Sequence, residues 1–288
     1  MFHMFDFHLH PARLPHPDAL QEALSAAGYG FVAIACEPWE WEAVAKMGPC
    51  DRAFGIHPMV AAQVSDADFG RLEGYLRGDP ASSVGECGLD RRYPGYGENG
   101  VQETVFLRQV ELARDLRRDL QIHCVGDYGR IVALLKKAKY PPLSDAAGLS
   151  GAAKFSDAAG LSGAAKFSDA AGLSGTAKSV PRPIFHRFGG DAGIVRAALP
   201  MDAIFSLHAD SFKKKSTLAA LPLIPEQNVR FETDADETTF ATKENTFAGD
   251  GRGAANGDAA AEYSVEQIVQ SLRERWLATK SLWDNLKV

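Results

Sequence analysis

Histidines and carboxylates stand at the ends of several short apolar segments of this 288-residue sequence, where they could bind metal ions. Only one leucine separates His8 from His10. Residues two apart project from the same side of a strand, so both imidazoles could reach one ion. Four further candidates follow other apolar segments: Glu86, His123, His186 and Asp234. Six nitrogen and oxygen ligands without a thiolate indicate one or two divalent cations such as Zn²⁺, Mn²⁺ or Mg²⁺.

Each of these residues also has an ordinary structural interpretation. A single histidine at a strand end is more often a hydrogen-bonded core residue than a ligand, and an acidic residue after a strand often caps the next helix. The metal interpretation therefore rests on all six residues together, repeated strand by strand. It requires a scaffold that brings the ends of five strands to one place.

Short apolar runs, rich in Ile, Val and Phe, alternate with amphipathic runs along most of the chain. Such runs are typical of strands buried on both faces. The eight candidate strands are Met4–Leu9, Phe31–Cys36, Arg52–Ile56, Ser83–Cys87, Leu120–Cys124, Pro183–Arg187, Ala203–Leu207 and Arg230–Thr233.

The segments between the strands have helical patterns. The clearest are Asp18–Ala27, the stretch from Ser65 through Arg77, Gln102–Arg118 and the stretch from Ser264 towards Leu286. In two of them a serine at the start is followed three residues later by Asp68 or Gln267, which resembles a capping box.

Strict alternation of strands and helices predicts a parallel sheet with right-handed crossovers, an α/β architecture. Eight is the number of strands at which such a sheet closes into a TIM-like (β/α)8 barrel, here a single domain over residues 1–288. An open doubly wound sheet is the alternative, but no glycine fingerprint of that class follows the first strand. In a barrel, the carboxyl ends of the strands form the active-site face.

A tandem repeat interrupts this pattern at residues 144–179. The twelve residues SDAAGLSGAAKF begin at Ser144, recur unchanged from Ser156 and return from Ser168 as SDAAGLSGTAKS. The repeat is low in complexity and offers little to bury. It lies between the fifth helix and the sixth strand, on the barrel face away from the active site. We interpret it as a flexible insertion without a catalytic role; a partner-binding arm is the alternative.

A second interruption, residues 238–261, contains the run AGDGRGAANGDAAA. It follows the eighth strand and would hang over the catalytic mouth, where loops often carry function. Two interpretations are equally possible: a flexible loop that closes over substrate, or a loop without a function.

The composition argues against a protein that coats nucleic acid and is typical of a globular protein. The 31 Lys and Arg residues against 37 Asp and Glu give a net charge of −6, which disfavours coating nucleic acid through a broad basic surface. A local basic patch or bound metal ions could still hold a phosphate. A hydrophobic fraction of 45% and a charged fraction of 24% are ordinary for a globular protein.

The four cysteines are too scattered for a disulfide framework or a zinc site of the CxxC kind. The amino terminus lacks the basic and apolar regions of a signal peptide. No stretch approaches the roughly 20 apolar residues needed to cross a bilayer, so we predict no membrane association. We expect a soluble, cytoplasmic protein, and the sequence leaves its oligomeric state unknown.

Several segments, in order, resemble the TatD family of metal-dependent hydrolases. FDFHLHP is similar to the opening HxH strand of the family, FGIHPM to its GxHP segment and VGECGLDRR to its GE-x-GLD motif. QETVFLRQVELARDL resembles its Q-x3-F-x2-Q-x2-LA helix. LQIHC, PIFHRFGGD and RFETDAD resemble its later histidine strands and its ETD strand.

The resemblance implies a TIM-like barrel with two metal ions and a metal-dependent deoxyribonuclease activity, often removing nucleotides from a 3′ end. His8, His10 and Asp234 would hold one ion, His123 and His186 the second, and Glu86 would bridge them. Asp234 could also accept the proton of a metal-bound water. Asp234 and Glu86 are thus the predicted catalytic residues.

Three further residues are predicted to contact substrate or the metal ligands. His57 ends the third strand and could touch a phosphate or orient a ligand. Asp90 could contact substrate or a metal ligand, with a helix cap as the alternative. Arg187 could form an anion site with Arg91 and Arg92, although such arginines are usually only solvated.

The chain departs from the family pattern around the substrate. Cys124-Val125-Gly126 follows His123 where the family usually has Ser-Arg, so an arginine expected to meet phosphate is missing. Arg187 follows His186 where a cysteine is common, and it could restore the charge. His208 and Asp236 replace a usual small-residue segment and a proline. The six ligands remain, while the substrate pocket differs.

Three functional hypotheses follow. The first is metal-dependent hydrolysis of phosphodiesters at a nucleic-acid end or in a small nucleotide, by a metal-activated water. The second is metal-dependent hydrolysis of an amide, ester or cyclic bond in another substrate. The third is a metal-binding scaffold without turnover, against which the six intact ligands count.

Overall fold

The computed structural model describes residues 4–141, 180–240 and 263–287. Within them one sheet holds eight strands in chain order, and every neighbouring pair is parallel. The strands are β1 (Met4–Leu9), β2 (Tyr29–Ala35), β3 (Asp51–Phe54), β4 (Ser83–Asp90), β5 (Leu120–Val125), β6 (Pro183–Phe185), β7 (Ile204–Leu207) and β8 (Val229–Phe231). The predicted TIM-like (β/α)8 architecture is confirmed.

Helices alternate with the strands. Those within the described ranges are α1 (Pro17–Ala26), α2 (Trp41–Lys46), α3 (Asp66–Gly78), α4 (Val101–Leu116), α5 (Tyr128–Lys137), α6 (Ala192–Ala198), α7 (Lys215–Leu218) and α8 (Val265–Leu286). Complete capping boxes open α3 at Ser65 and α8 at Ser264, as the sequence predicts, because each serine accepts from the backbone at the third helical position.

The ends of the sheet meet between β1 and β8. Leu9 forms a parallel bridge with Ala235, and the backbone N–H of Asp234 donates to the carbonyl of His8 across 2.9 Å. The buried Asp6 side chain reinforces this seam, since it accepts from the backbone N–H of His8 at 3.2 Å and of Thr233 at 3.0 Å. The closure therefore brings the first predicted ligands beside the last.

Apolar side chains pack on both sides of the strands. In β2, Phe31, Ala33 and Ala35 belong to the large outer core under the helices. The alternate residues Val32 and Ile34 form a smaller cluster with Cys36, which lines the cavity at the barrel mouth. This alternation is the two-residue period of a strand buried on both faces.

Helix α4 also clamps the ends of two strands. The Gln109 side chain accepts from the backbone N–H of Ile56 at 2.7 Å and donates to its carbonyl at 3.0 Å. Gln102 makes the same pair of bonds with the backbone of Asp90, at 2.9 and 3.0 Å. The two glutamines thus fix the backbone next to His57 and at the end of β4.

Four strands, β2, β3, β6 and β8, end one or two residues earlier than the sequence predicts, and the last two of these ends concern candidate ligands. β6 stops at Phe185 and β8 at Phe231, before His186 and Glu232. The chain leaves the sheet at Arg187 and Asp234, which have left-handed φ values of 45° and 50°. The candidate ligands there lie in turns just beyond the strands.

The tandem repeat at 144–179 lies outside the described residues, as do residues 241–262, which include most of the predicted loop at 238–261. Within the described ranges, no helix combines the length and apolar character that crossing a bilayer requires.

Candidate metal centre

Glu86 occupies the centre of the site, and the glycines beside it explain how it is held there. A Cβ on Gly85 would lie 2.4 Å from the carbonyl oxygen of Gln121, and one on Gly88 only 1.9 Å from that of His123. Both glycines also have positive φ values, 123° and 154°. The GECG segment can therefore lie against β5 only with glycines at these positions.

One oxygen of Glu86 faces the histidines of β1. Its Oε2 lies 3.3 Å from Nε2 of His8 and 3.6 Å from Nε2 of His10. Asp234 completes this group, since its Oδ1 lies 3.8 Å from His8 Nε2 and 3.6 Å from His10 Nε2. Ligand atoms around a tetrahedral ion bound at about 2.0–2.2 Å lie about 3.3–3.6 Å apart. The spacing and the donor chemistry fit a divalent cation.

The other oxygen of Glu86 faces the histidines that follow β5 and β6. Oε1 lies 2.5 Å from Nδ1 of His123 and 2.8 Å from Nε2 of His186, and these two nitrogens are 3.1 Å apart. The rings of His186 and His8 stack with centroids 4.0 Å apart, which joins the two groups. The structure thus brings all six sequence-predicted ligands together, with Glu86 between two sets of donors.

The two carboxylates are charged in this environment. Burial by itself raises the pKa of Glu86, but the neighbouring charges, first that of His186, outweigh it and hold the pKa well below its usual range. The pKa of Asp234 is also low, because the hydrogen bond from His10 and the charge of His186 outweigh its burial. Ionised carboxylates are the state that a bound cation requires.

Asp90 lies behind His123, is buried, and is not itself one of the residues that line the cavity. Its Oδ2 is 2.9 Å from Nε2 of His123. Asp90 also accepts from Arg92, and these hydrogen bonds outweigh burial and lower its pKa. A metal-binding histidine commonly donates its other ring N–H to such a carboxylate. Of the two roles predicted for Asp90, this geometry favours orienting the ligand over touching substrate.

Glu232 is a residue of the site that the sequence reasoning missed. It is fully buried, its Oε1 lies 3.6 Å from Nδ1 of His186, and it accepts a hydrogen bond from the backbone N–H of Arg187. The available signal was the two-residue spacing from Asp234, which indicates that both carboxylates project to the same side of the chain.

His57 contributes a hydrogen-bond donor next to Glu86. Its Nδ1 accepts from the backbone N–H of Met59 at 3.0 Å, so the proton of the neutral ring is on Nε2, 3.6 Å from Glu86 Oε1. Burial holds the pKa of His57 well below its ordinary value. A neutral ring with Nε2–H can donate to a phosphate or water, while metal binding at Nε2 would require loss of that proton.

Arg187 lies at the cavity wall between two acidic side chains. Its Nη1 is 2.8 Å from Asp234 Oδ2, and its Nη2 contacts Asp210, which follows β7. The side chain remains 46% exposed, so a substrate anion could reach it. The pKa of Arg187 is raised because these carboxylates outweigh its burial.

Another histidine–cysteine–carboxylate group adjoins the site but has a different organisation. His10, Cys36 and Glu40 place ligand atoms within reach of each other. However, Arg13 Nε donates to Glu40 at 2.7 Å, and the backbone N–H of Cys36 donates to it at 2.8 Å. Glu40 is therefore engaged in holding Arg13 and this loop.

The cluster lies at the base of a cavity of about 1000 Å³, lined by residues from all eight strand ends. Its location at the carboxyl ends is where barrel enzymes perform their chemistry. Fold and cluster together define a (β/α)8 barrel with a candidate metal centre at its mouth.

The chain belongs to the TatD related DNase family, because the sequence model of that family matches residues 5–285. The resemblance inferred from the motifs is thereby confirmed.

Individual relatives match over shorter segments. The human 3′-5′ RNA nuclease TATDN2 is 33% identical over 113 residues, which cover 38% of this chain and 15% of that protein. The 3′-5′ ssDNA/RNA exonuclease TatD of Edwardsiella piscicida is 32% identical over 87 residues, 30% of this chain and 33% of the relative. The matched segments thus span a third or less of the length of these two relatives.

Two solved structures share the fold over nearly the full length of the chain. A TatD homologue from Escherichia coli K12 has a TM-score of 0.59 at 17% identity and covers 95% of this chain and 96% of its own. A TatD family hydrolase from Entamoeba histolytica has a TM-score of 0.56 at 12% identity, with coverage of 98% and 96%.

Proposed function

We propose that this protein is a divalent-metal-dependent phosphodiesterase that removes nucleotides from the 3′ end of single-stranded nucleic acid. The proposal depends on the position of Glu86, because its two carboxylate oxygens face two separate sets of histidines. Such a carboxylate can bridge two cations. The relatives named as 3′-5′ nucleases support the choice of substrate.

In this proposal two ions are held by the six residues of the cluster. His8, His10 and Asp234 would hold one ion, and His123 and His186 would hold the other, with Glu86 lying between the two sets of donors. Divalent cations in such a site lower the pKa of a bound water and neutralise the charge of a phosphodiester. A mildly acidic protein with a net charge of −6 can therefore bind a phosphate without a broad basic surface.

The remaining residues orient the ligands and the substrate. Asp90 holds the ring of His123 by a hydrogen bond, and Glu232 faces Nδ1 of His186 at 3.6 Å. Nδ1 of His123 and Nε2 of His186 face Glu86. His57 donates from Nε2 towards a phosphate oxygen, and Arg187 provides a guanidinium beside it. Asp234 acts as a ligand. Its lowered pKa and its contact with Arg187 make it a weak base for the proton transfer also predicted for it.

The experiment uses the full chain loaded with Mg²⁺, Mn²⁺ or Zn²⁺. We expect metal-dependent shortening of 5′-labelled single-stranded DNA or RNA from its 3′ end, together with hydrolysis of bis(p-nitrophenyl) phosphate. A 3′-blocked strand reports the direction of cleavage. Failure to hydrolyse either substrate would overturn the phosphodiesterase proposal, and release from an amide or ester panel would then support the second hypothesis.

Matched variants test the site. Glu86→Gln is expected to abolish hydrolysis and to lower the bound metal measured by plasma mass spectrometry. Glu42→Gln is the control, because Glu42 is an exposed carboxylate on α2 that pairs with Lys46. Equal activity in the two variants would show that Glu86 is not the bridging ligand.

A further inference from the structure

Five cationic side chains line the cavity, and three of them are neutralised by a carboxylate within 2.8 Å. These pairs are Arg13 with Glu40, Arg92 with Asp90 and Arg187 with Asp234. The other two, Arg91 and Lys214, have no ion-pair partner within residues 4–141, 180–240 and 263–287. They are the cations that remain available to a ligand.

Arg91 is held in place at the end of β4. Its backbone N–H donates to the carbonyl of Val125 across 3.0 Å, which joins the turn after β4 to β5. A Cβ on Gly126 would lie 3.2 Å from Cδ of Arg91, so the arginine stem lies directly against this glycine. The stem is thereby supported while the side chain stays exposed at the cavity.

Lys214 lies in the segment that follows β7 and also lines the cavity. Its Nζ donates to the carbonyl of Gly189 at 3.4 Å, and the N–H of Gly189 donates to the Tyr128 hydroxyl at 2.9 Å. Thr217 also donates to the Gly189 carbonyl, at 2.9 Å. These bonds join the loops after β5, β6 and β7 into one wall, with Arg91 and Lys214 at its two ends.

Acidic residues line the opposite wall. Asp236 and Glu237 line the cavity after β8, and the charge of Arg13 there is met by Glu40 and Glu37. Asp127, Asp191 and Asp210 also line the wall between β4 and β7, but the first two cap α5 and α6, and Asp210 pairs with Arg187 and Lys213. Among the described residues, Arg91 and Lys214 are therefore the unpaired cations to which a chain of phosphates is attracted.

We propose that Arg91 and Lys214 bind the phosphates adjacent to the scissile one in a single-stranded nucleic acid. The inference rests on the proposed function. It favours a polymeric substrate over a small phosphodiester.

The test compares a single-stranded oligonucleotide with bis(p-nitrophenyl) phosphate, which has no neighbouring phosphates. In Arg91→Ala and Lys214→Ala, the KM for the oligonucleotide should rise about fivefold per residue relative to that for the small substrate. The dependence of log KM on log salt should flatten by about 0.7 per residue removed. Lys215→Ala is the control, because it removes the same charge one residue away from the cavity lining.

Equal losses on both substrates, or the same effect from Lys215→Ala, would overturn the subsite. Binding of a fluorescently labelled oligonucleotide, followed by anisotropy, separates this proposal from the preceding one. A strand that binds through Arg91 and Lys214 but is not cleaved would support the subsite and refute the nuclease. A strand that is cleaved normally by the double variant would refute the subsite alone.

Discussion

Nε2 of His123 and Oδ2 of Asp90 form a hydrogen bond of 2.9 Å that decides which nitrogen of the histidine faces the metal centre. Asp90 is ionised and can only accept, so Nε2 is the donor and Nδ1 presents its lone pair to the site when the ring is neutral. Arg92 holds the carboxylate from the other side. Glu232 faces the ring of His186 in a similar position, with its Oε1 3.6 Å from Nδ1, which is longer than a hydrogen bond.

Asp90→Asn is therefore expected to weaken metal binding about 10- to 100-fold, as substitutions of residues that hydrogen-bond to a metal ligand typically do. His123 and Arg92 both donate to Oδ2, and Arg92 also donates to Oδ1, so an amide group in either orientation loses at least one of these bonds. Isothermal titration calorimetry with Zn²⁺ measures the affinity. Asp284→Asn, on the exposed face of α8, is the control. Unchanged affinity in Asp90→Asn would exclude the orienting role.

Arg187→Ala is expected to lower kcat/KM about 10- to 100-fold. The loss should be the same on an oligonucleotide and on bis(p-nitrophenyl) phosphate. Its guanidinium lies beside Asp234 and can reach the phosphate that both substrates share, a charge-assisted contact of about 1.5–3 kcal/mol. Steady-state kinetics on the two substrates check this. A loss confined to the oligonucleotide would place Arg187 with the neighbouring phosphates, as proposed for Arg91.

The grouping of the six candidate ligands could be predicted from strand order alone. Each of the six follows or ends an apolar run, and a parallel barrel gathers the carboxyl ends of all its strands. His8 and Asp234 are 226 positions apart in numbering, yet the closure of β8 on β1 places them 3.8 Å apart.

The sequence left open whether Asp90 contacts substrate or a metal ligand, and it did not point to Glu232, because these roles depend on side-chain direction and register. The pairing of β4 with β5 shifts between Val84 and Cys87, so the neighbour of Asp90 on β5 does not follow from counting residues. The bridge from Arg187 to Asp210 depends on a left-handed turn at an arginine, which sequence patterns do not favour.

Asp51→Asn is expected to stabilise the fold at neutral pH. Burial raises the pKa of Asp51 from 3.8 to about 6, helped by the charge of Asp79, and no described residue hydrogen-bonds to its buried Oδ2. The folded protein therefore binds more protons than the unfolded chain between these values, and stability falls as the pH rises through this window. Discounted for partial exposure, the cost is about 1–2 kcal/mol above pH 6.

Urea unfolding at pH 4 and pH 7.5 measures this effect. The variant should gain about 1–2 kcal/mol over the parent at pH 7.5 and little at pH 4, where the parent carboxyl is protonated when folded. Asp115→Asn, an exposed aspartate beside Arg114, should follow the parent at both values. A variant less stable than the parent at pH 7.5 would show that the charged form of Asp51 stabilises the fold.

Deletion of residues 144–179 is expected to leave metal binding and hydrolysis near those of the parent. The repeat itself lies outside the described residues, but α5 ends at Lys137 before it and β6 begins at Pro183 after it. A connection from a helix to the next strand runs to the amino ends of the strands, while His123 and His186 lie at the carboxyl ends. We propose on this basis that the repeat is an insertion into a single barrel domain. Kinetics and the melting temperature of the shortened chain check it, and a folded product without activity would place the repeat in the catalytic machinery.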